Sequence, residues 1–225
     1  MYLLLAAIVP SLIIIFYIYR KDRYEREPKR LILLNFFLGA IVSIIITTIL
    51  YYAFNIVLPL ANRMSVFQQF VKAFFVVALT EEFSKYVIVR YVAQNNKSFN
   101  EPFDGIVYAL TVSMGFAATE NILYVFEGGY QIALIRAFTA VPAHATFGIL
   151  MGYFMGKAKF SKHKTILNLL GLLAAMLFHG AYDFFLFIDF VPGIWSGALA
   201  SLVIGIVLSR KAIRHHQNNS HFKPL

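Results

Sequence analysis

The apolar residues of this chain fall into long runs, each about as long as a helix that crosses a membrane. About 20 consecutive apolar residues in a helix span a hydrocarbon core of about 30 Å. Inside that core only helices and closed barrels satisfy their own backbone hydrogen bonds. We therefore predict an all-α fold, a polytopic transmembrane helix bundle with about seven spans. The predicted spans cover residues 2–19, 31–54, 66–89, 104–126, 131–156, 165–188 and 194–209.

The composition supports a membrane protein and excludes thiol chemistry. The chain has 225 residues, of which 60% are hydrophobic and 14% are charged, whereas a soluble domain is about 25% charged. It contains no cysteine, which excludes disulfides, thiolate nucleophiles and thiolate metal sites. The first run lacks the basic start and small-residue cleavage site of a signal peptide, so we predict a helix there. We expect one membrane-embedded domain over residues 1–225, with 210–225 as a cytoplasmic tail.

The basic residues predict the orientation. The loops at 20–30, 90–103 and 157–164 hold six, two and four of the 20 Lys and Arg residues, and the tail holds four. Lys and Arg accumulate on the cytoplasmic side of a membrane. We therefore place the N-terminus outside and the C-terminus in the cytoplasm of a multi-pass protein of the cell membrane. The net charge of +9 then faces anionic lipid, and we predict no nucleic-acid partner.

The third span carries the most unusual polar residues. Glu81, Glu82 and Lys85 interrupt the apolar stretch 78–89, and ionisable groups at such depth are costly and usually functional. Lys85 is four residues after Glu81 and therefore on the same helix face. One interpretation is a self-neutralising Glu81–Lys85 pair, with Glu82 capping a neighbouring helix. The alternative is a catalytic carboxylate that accepts a proton from water.

Later spans add a second set of buried polar candidates. Glu120 lies in the fourth span and His144 in the fifth, while His179 and Asp183 share one face of the sixth. Each could also be structural, as a hydrogen-bonding group or a local His–Asp pair. Asp104 begins the fourth span and is expected to act as an N-cap or first-turn acid. The other histidines are expected to face solvent. They are His163, His215, His216 and His221.

Depth along the spans brings the candidates to a similar level. Counting residues places the Glu pair and both histidines near mid-membrane, and Glu120 and Asp183 toward the outer half. Carboxylates and imidazoles at one level can activate water and stabilise an oxyanion, as peptide hydrolysis requires. The sequence contains no Gly-x-Ser-x-Gly motif, no His-Glu-x-x-His motif and no intramembrane aspartyl pair.

The polar motifs follow one another in successive spans. They are Glu81-Glu82-x-x-Lys85, Asp104-Gly105-Ile106-Val107-Tyr108-Ala109, Gly115-Phe116-Ala117-x-x-Glu120-Asn121, His144 and His179-Gly180-x-x-Asp183. As an ordered set they resemble the PrsW family, bacterial membrane-embedded proteases related to the CAAX prenyl endopeptidases and the bacterial immunity-type membrane proteins. The resemblance covers most of the chain, including the basic loop after the first span.

The resemblance implies a glutamate-dependent intramembrane protease that begins regulated proteolysis of a single-pass anti-sigma factor and so releases a stress sigma factor. It also implies roles for the candidates. Glu81 would be the general base on a water that His144 helps to hold, and Glu82 and Glu120 would be supporting acids. His179 and Asp183 would line the oxyanion site. The prenyl endopeptidases carry Glu-Glu-x-x-x-Arg, with the basic residue one position later than Lys85, and often an Asn after the second His, where this chain has Asp183. Because an Asp donates a hydrogen bond only when it is protonated, Asp183 could instead orient His179.

Three other functions compete with this one. Two histidines and a carboxylate can bind catalytic zinc, although we expect catalysis without a metal or other cofactor. A proton-coupled transporter also uses buried Glu, His and Asp residues, but the inverted repeats that would support it are not found in the sequence. A non-catalytic scaffold with the same fold is the third alternative.

Overall fold

The computed structural model describes residues 2–224, and within that range the regular structure is entirely helical. The α-helices are α1 (Tyr2–Lys21), α2 (Lys29–Phe37), α3 (Ile44–Val57), α4 (Val66–Val71), α5 (Leu79–Ile88), α6 (Pro102–Phe138), α7 (Ala140–Lys159), α8 (Lys164–Phe187) and α9 (Ser196–Asn218). Three π-helical segments continue these helices. Leu38–Ser43 joins α2 to α3, Lys72–Ala78 joins α4 to α5, and Val89–Ala93 extends α5.

The predicted all-helical membrane fold is confirmed at the level of its helices. Five helical stretches in the described part of the chain are long and apolar enough to cross a membrane. They are Tyr2–Lys21, Lys29–Val57, Pro102–Lys159, Lys164–Phe187 and Ser196–Asn218. The predicted third span is also continuously helical, from Val66 to Ala93, but is more charged. The number of spans and the orientation of the termini stay predictions.

An antiparallel hairpin between α6 and α7 forms the centre of the bundle. Gly129 has a φ of +69° inside α6, a conformation that glycine adopts without a Cβ clash, and the chain reverses there. Two hydrogen bonds join the two arms of the hairpin. Near the turn, Arg136 Nε donates to Asn121 Oδ1 (2.6 Å), and farther from it Ser113 Oγ donates to the backbone oxygen of His144 (2.7 Å). The tight connection predicted at 127–129 is therefore the turn of this hairpin, and the predicted fifth span continues through Thr139 into α7.

Small residues let the two helices of this hairpin approach closely. A Cβ on Gly152 would overlap the backbone oxygen of Gly105 and lie 2.7 Å from Cα of Ile106. Close backbone contacts of this kind drive helix association in membranes. The hairpin places Glu120 and His144 on facing helices, so its packing determines their separation.

Gly152→Ala is expected to destabilise the protein by about 1–3 kcal/mol, the usual effect of overpacking. The added methyl group would meet backbone, which cannot move aside as a side chain can. Gly205→Ala is the matched control, because its nearest contacts would be side-chain atoms of Thr146 at 3.1 and 3.4 Å. Thermal unfolding of both variants in one detergent checks the difference. Equal unfolding temperatures would contradict it.

Four segments rich in basic residues meet at one end of the bundle, which we call the basic end. Lys159 Nζ donates to the backbone oxygen of Asn96 (2.8 Å), Gln217 donates to that of Lys21, and Ser220 donates to Glu101. The loops predicted to share the cytoplasmic side therefore do share one end. At this end, burial and then the nearby Asp104 carboxylate raise the pKa of Asp22 to about 7.

The C-terminal segment differs from its predicted solvent-facing arrangement. α9 continues to Asn218, so its last turns extend the helix of the seventh predicted span. His216 is buried, and its Nε2 lies 3.0 Å from the backbone oxygen of Tyr153. The prediction that His216 faces solvent is therefore wrong, because α9 packs this side of its final turns against α7.

Candidate functional site

A cavity of about 540 Å³ lies among α5, α6, α7 and α8, where the polar residues of the spans converge. Its volume is within the usual range of ligand pockets. Five of the six predicted site residues line it, namely Glu81, Glu120, His144, His179 and Asp183. Glu82 does not line it. The adjacent glutamates therefore have different environments, since the Glu81 side chain is 10% exposed and that of Glu82 is 0% exposed.

The cavity extends away from the basic end. Its remaining lining includes Lys72 at the start of the π-helical segment before α5, Phe187 at the end of α8 and Leu199 near the start of α9. All three belong to the end of the bundle opposite the basic end. Glu81 is twelve residues before Ala93, about 18 Å along the helix at 1.5 Å per residue. The polar site therefore lies deep in the bundle and is approached from the opposite end.

Two hydroxyl contacts anchor the helix that carries the glutamate pair. Ser84 Oγ lies 2.5 Å from Ser43 Oγ and accepts from Thr47 Oγ1 at 2.9 Å. Hydroxyl groups commonly hold membrane helices together in this way. A π-helical segment, Lys72–Ala78, directly precedes α5, and such segments frequently occur at functional sites. Together these features set the rotation of α5 that turns Glu81 toward the cavity.

Lys85 connects the two glutamates to the first histidine. Its Nζ lies 2.7 Å from Glu82 Oε1, 3.5 Å from Glu81 Oε2 and 3.3 Å from His144 Nδ1. The pairing considered from sequence, Glu81 with Lys85, is thus the looser of the two carboxylate contacts. Lys85 is 1% exposed, and a buried ammonium requires such compensation. Lys85 therefore neutralises Glu82 chiefly and leaves Glu81 the freer carboxylate.

His144 is held on both of its ring nitrogens. Because an ammonium only donates, its contact with Lys85 makes His144 Nδ1 the acceptor. Nε2 then carries the proton and donates to Glu120 Oε2 at 2.8 Å. Arg136 Nη2 donates to the same Glu120 oxygen at 2.7 Å. Glu120 therefore orients His144 at the wall of the cavity.

His179 lies between carboxylates of three residues. Its Nδ1 is 2.8 Å from Glu82 Oε1, and its Nε2 is 3.2 Å from Asp183 Oδ2 and 3.9 Å from Glu81 Oε2. The ring stacks on Phe147 with centroids 4.7 Å apart. Nε2 thus faces Glu81 and Asp183 at the cavity, while Glu82 holds the far side of the ring. This position suits Asp183 as a group that orients His179.

The structure brings all six predicted residues into one connected group. It also gives Asp104 the capping role expected of it, because Asp104 Oδ2 accepts from the backbone N–H of Glu101 at 2.8 Å. Arg136 and Tyr182 line the cavity as well and were missed from the sequence. Arg136 follows Gly129 by only seven residues. Counting back from the turn at Gly129 would have placed it beside Asn121 and Glu120.

The donor types at the site suit zinc, but their arrangement does not. Glu81, Glu82, His144 and His179 offer ligand atoms that all lie within 4.8 Å of one another, and zinc binds imidazole and carboxylate groups. However, Lys85 Nζ contacts three of these four residues. A cation bound to the same atoms would lie close to the ammonium and be repelled by it. With Lys85 in this position, the arrangement does not fit a zinc ion.

Sequence comparison places the chain in a known family. Residues 27–210, which include the whole polar site, match the family model described as PrsW family intramembrane metalloprotease. Curated proteins named Protease PrsW are similar over most of their length. The one from Oceanobacillus iheyensis is 40% identical over 185 residues, 82% of this chain and 82% of that protein. The one from Bacillus subtilis is 36% identical over 183 residues, 80% of this chain and 81% of that protein.

These matches include the helices that carry the site, and they extend over more than half of the chain. A third relative, Protease PrsW of Geobacillus kaustophilus, is 38% identical over 185 residues, 82% of this chain and 79% of that protein. No solved structure matches the chain. With its membrane-length helices and its buried carboxylate and imidazole groups, this multi-pass membrane protein belongs to the PrsW family of intramembrane proteases.

Proposed function

We propose that the protein is an intramembrane endopeptidase in which Glu81 activates the attacking water. One observation carries the assignment, which is that Glu81 reaches the cavity while its neighbour Glu82 is fully buried against Lys85 and His179. A general base must approach the water from which it takes a proton. Glu81 meets that requirement and Glu82 does not.

The proposed reaction uses the groups around the cavity in turn. Glu81 takes a proton from a water molecule, and the hydroxide attacks the carbonyl carbon of the scissile peptide bond. The N–H of His179 Nε2 donates to the oxyanion that forms, as preorganised donors do in acyl transfer. Glu81 then passes its proton to the amide nitrogen, the C–N bond breaks, and a carboxylic acid and an amine are released. His144, held by Glu120 and Lys85, positions the water.

The depth of the site supports a membrane-embedded substrate. Glu81 lies about 18 Å from the basic end along its helix, and the cavity is lined beyond it by residues of the opposite end. If the basic end is cytoplasmic, as its charge predicts, the site is approached from the outer side of the cell membrane. Together with the family resemblance, this favours a single-pass anti-sigma factor as the substrate, whose cleavage would release a stress sigma factor.

The substrate is tested by mapping where it is cut. The purified protein is reconstituted into lipid vesicles with a single-pass anti-sigma factor of the same organism, and the products are identified by mass spectrometry. We expect one cut, at or near the half of the transmembrane segment closer to the outer surface. The isolated soluble domain of the same factor is the control and should stay intact. Cleavage of the soluble domain, or no cleavage of the full factor, would contradict the proposed substrate.

A zinc-dependent peptidase is the second candidate, favoured by the four ligand-type residues within 4.8 Å. In that mechanism Lys85 would have to withdraw from Glu82 and His144 to admit the ion. The two mechanisms therefore differ in what Lys85 does. In the glutamate mechanism Lys85 is a permanent part of the site.

A further inference from the structure

A second group of carboxylates lies at the basic end, remote from the cavity. Asp22, Glu25 and Glu27 come from the loop between α1 and α2, and Asp104 comes from the first turn of α6. Asp22 and Glu27 are each 1% exposed and Asp104 is 0% exposed. We call these four residues the rim carboxylates. Along α6, Asp104 and Glu120 are 16 residues apart, about 24 Å, so the two sites are separate.

Each of the three buried rim carboxylates uses one oxygen to hold its position. Asp22 Oδ2 accepts from the backbone N–H of Glu27 at 3.2 Å, and Glu27 accepts from the hydroxyl of Tyr108 through Oε2. Asp104 Oδ2 accepts from the backbone N–H groups of Asn100 (2.6 Å) and Glu101 (2.8 Å). One oxygen of each carboxylate is therefore fixed by a hydrogen bond, and the second oxygen is left for a further partner.

The second oxygens are buried and have no partner within residues 2–224. They are Asp22 Oδ1, Glu25 Oε2, Glu27 Oε1 and Asp104 Oδ1. A buried polar atom without a partner is rare and costly, and a buried charge without one is more so. Between Tyr2 and Pro224, none of the ion pairs includes a rim carboxylate. A bound cation would give these buried oxygens the partner that they lack and would compensate the charge of the carboxylates.

The separation of these oxygens suits a single ion. Ligand oxygens of Glu25, Glu27 and Asp104 all lie within 4.8 Å of one another. Oxygens on opposite sides of a calcium ion are about 5 Å apart at the usual bond lengths, and those around magnesium are about 4 Å apart. We propose that the rim carboxylates form a binding site for a hard divalent cation, Mg²⁺ or Ca²⁺, at the basic end of the bundle.

The neighbouring basic side chains do not replace such an ion. Lys159 donates to the backbone oxygen of Asn96 and lies 4.7 Å from the centre of the Phe99 ring. Arg23 and Arg26, from the same loop as three rim carboxylates, are exposed. His221 is exposed as well. The divalent cation is the charge that completes the site.

The position of the rim carboxylates indicates that the ion would stabilise the fold. It would join the α1–α2 loop to the first turn of α6, the helix that begins the central hairpin. Glu101, the N-cap residue of α6, is already bonded to Ser220 beyond α9. The bound cation would therefore tie these two segments together beside the contact between Glu101 and Ser220, and its binding should raise the stability of the protein.

The test is the unfolding temperature of the purified full chain, stripped with EDTA and then given MgCl₂, CaCl₂ or NaCl at equal ionic strength. At a concentration 100-fold above the Kd, one of the two divalent ions should raise the unfolding temperature by about 5–10 °C. Glu27→Gln and Asp104→Asn should each abolish the rise, and the asparagine side chain keeps an oxygen that can accept from the backbone N–H of Glu101. Glu127→Gln, which removes an exposed carboxylate elsewhere, should keep it.

Opposite results would overturn the proposal. One such result is a wild type whose unfolding temperature rises with neither ion. The other is a rise in unfolding temperature that is undiminished in Glu27→Gln and Asp104→Asn. A rise that is lost in Glu81→Gln but kept in Glu27→Gln would place the ion in the cavity instead. If both rim variants fail to fold, Tb³⁺ bound to the wild type provides the second measurement. Its tyrosine-sensitised luminescence, from Tyr108 beside Glu27, should appear and be displaced by Ca²⁺, and its absence would equally overturn the site.

Discussion

Glu81→Gln is expected to lower the rate of peptide hydrolysis by about 10²- to 10⁴-fold, the usual contribution of a general base. Glutamine has the same shape but cannot accept the proton of the attacking water. The contacts of Glu81 with Lys85 and His179, at 3.5 and 3.9 Å, are long, so their weakening should change the stability little. The measurement is single-turnover cleavage by equal amounts of folded wild type and variant.

Two matched variants show whether the effect belongs to this position. Glu127→Gln makes the same change at an exposed site and should cleave at the wild-type rate. Glu82→Gln removes the charge that pairs with Lys85 and His179 and should lower the unfolding temperature as well as the rate. A Glu81→Gln protein that cleaves within tenfold of the wild type would exclude Glu81 as the base.

Lys85→Met is expected to have the largest effect on stability, a loss of about 3–5 kcal/mol. Removing one partner of a buried ion pair leaves an uncompensated charge of about that cost. Here the charge left without Lys85 is that of Glu82, which keeps only His179 as a partner and whose Oε2 has no partner among the described residues. Lys97→Met, at an exposed position, is the control and should change stability by less than about 0.5 kcal/mol.

A double variant separates the lost charge from the lost packing of Lys85. Lys85→Met combined with Glu82→Gln removes both members of the 2.7 Å pair and should recover at least half of the lost stability. Buried ion pairs replaced on both sides are often near neutral in stability. Chemical unfolding of the four proteins of this cycle gives the coupling energy. Additive losses would show that Lys85 and Glu82 do not stabilise each other.

The helical fold could be predicted because the bilayer imposes a length and a hydropathy on each span. The turn at 127–129 and the common end of the basic loops followed from glycine and from the Lys and Arg distribution. The burial of His216 could not be predicted, since the tail is polar and its burial depends on how α9 packs on α7. The π-helical segments leave no clear pattern in the sequence either.

For the site, the sequence indicated which residues take part but not which residues they contact. Ionisable residues within apolar spans indicated the six predicted residues that the structure brings together, because such residues stand out in any membrane helix, but Arg136 and Tyr182 were missed. The identity of their partners depends on helix rotation, which local sequence does not determine. Thus Lys85 contacts Glu82 more closely than Glu81, and Arg136 reaches Glu120 across the hairpin. The difference between Glu81 and Glu82 likewise became visible only with the cavity.

The central claim, water activation by Glu81 without a catalytic metal, is tested most directly by chelation. The purified wild type is treated with 1,10-phenanthroline, which removes zinc but binds Mg²⁺ and Ca²⁺ weakly, so that the rim carboxylates keep their ion. Cleavage of the reconstituted single-pass substrate is then measured before and after treatment, and again after added ZnCl₂. We predict an unchanged rate in all three samples. Activity that is lost on chelation and restored by zinc would contradict the account and move the site to the metallopeptidases.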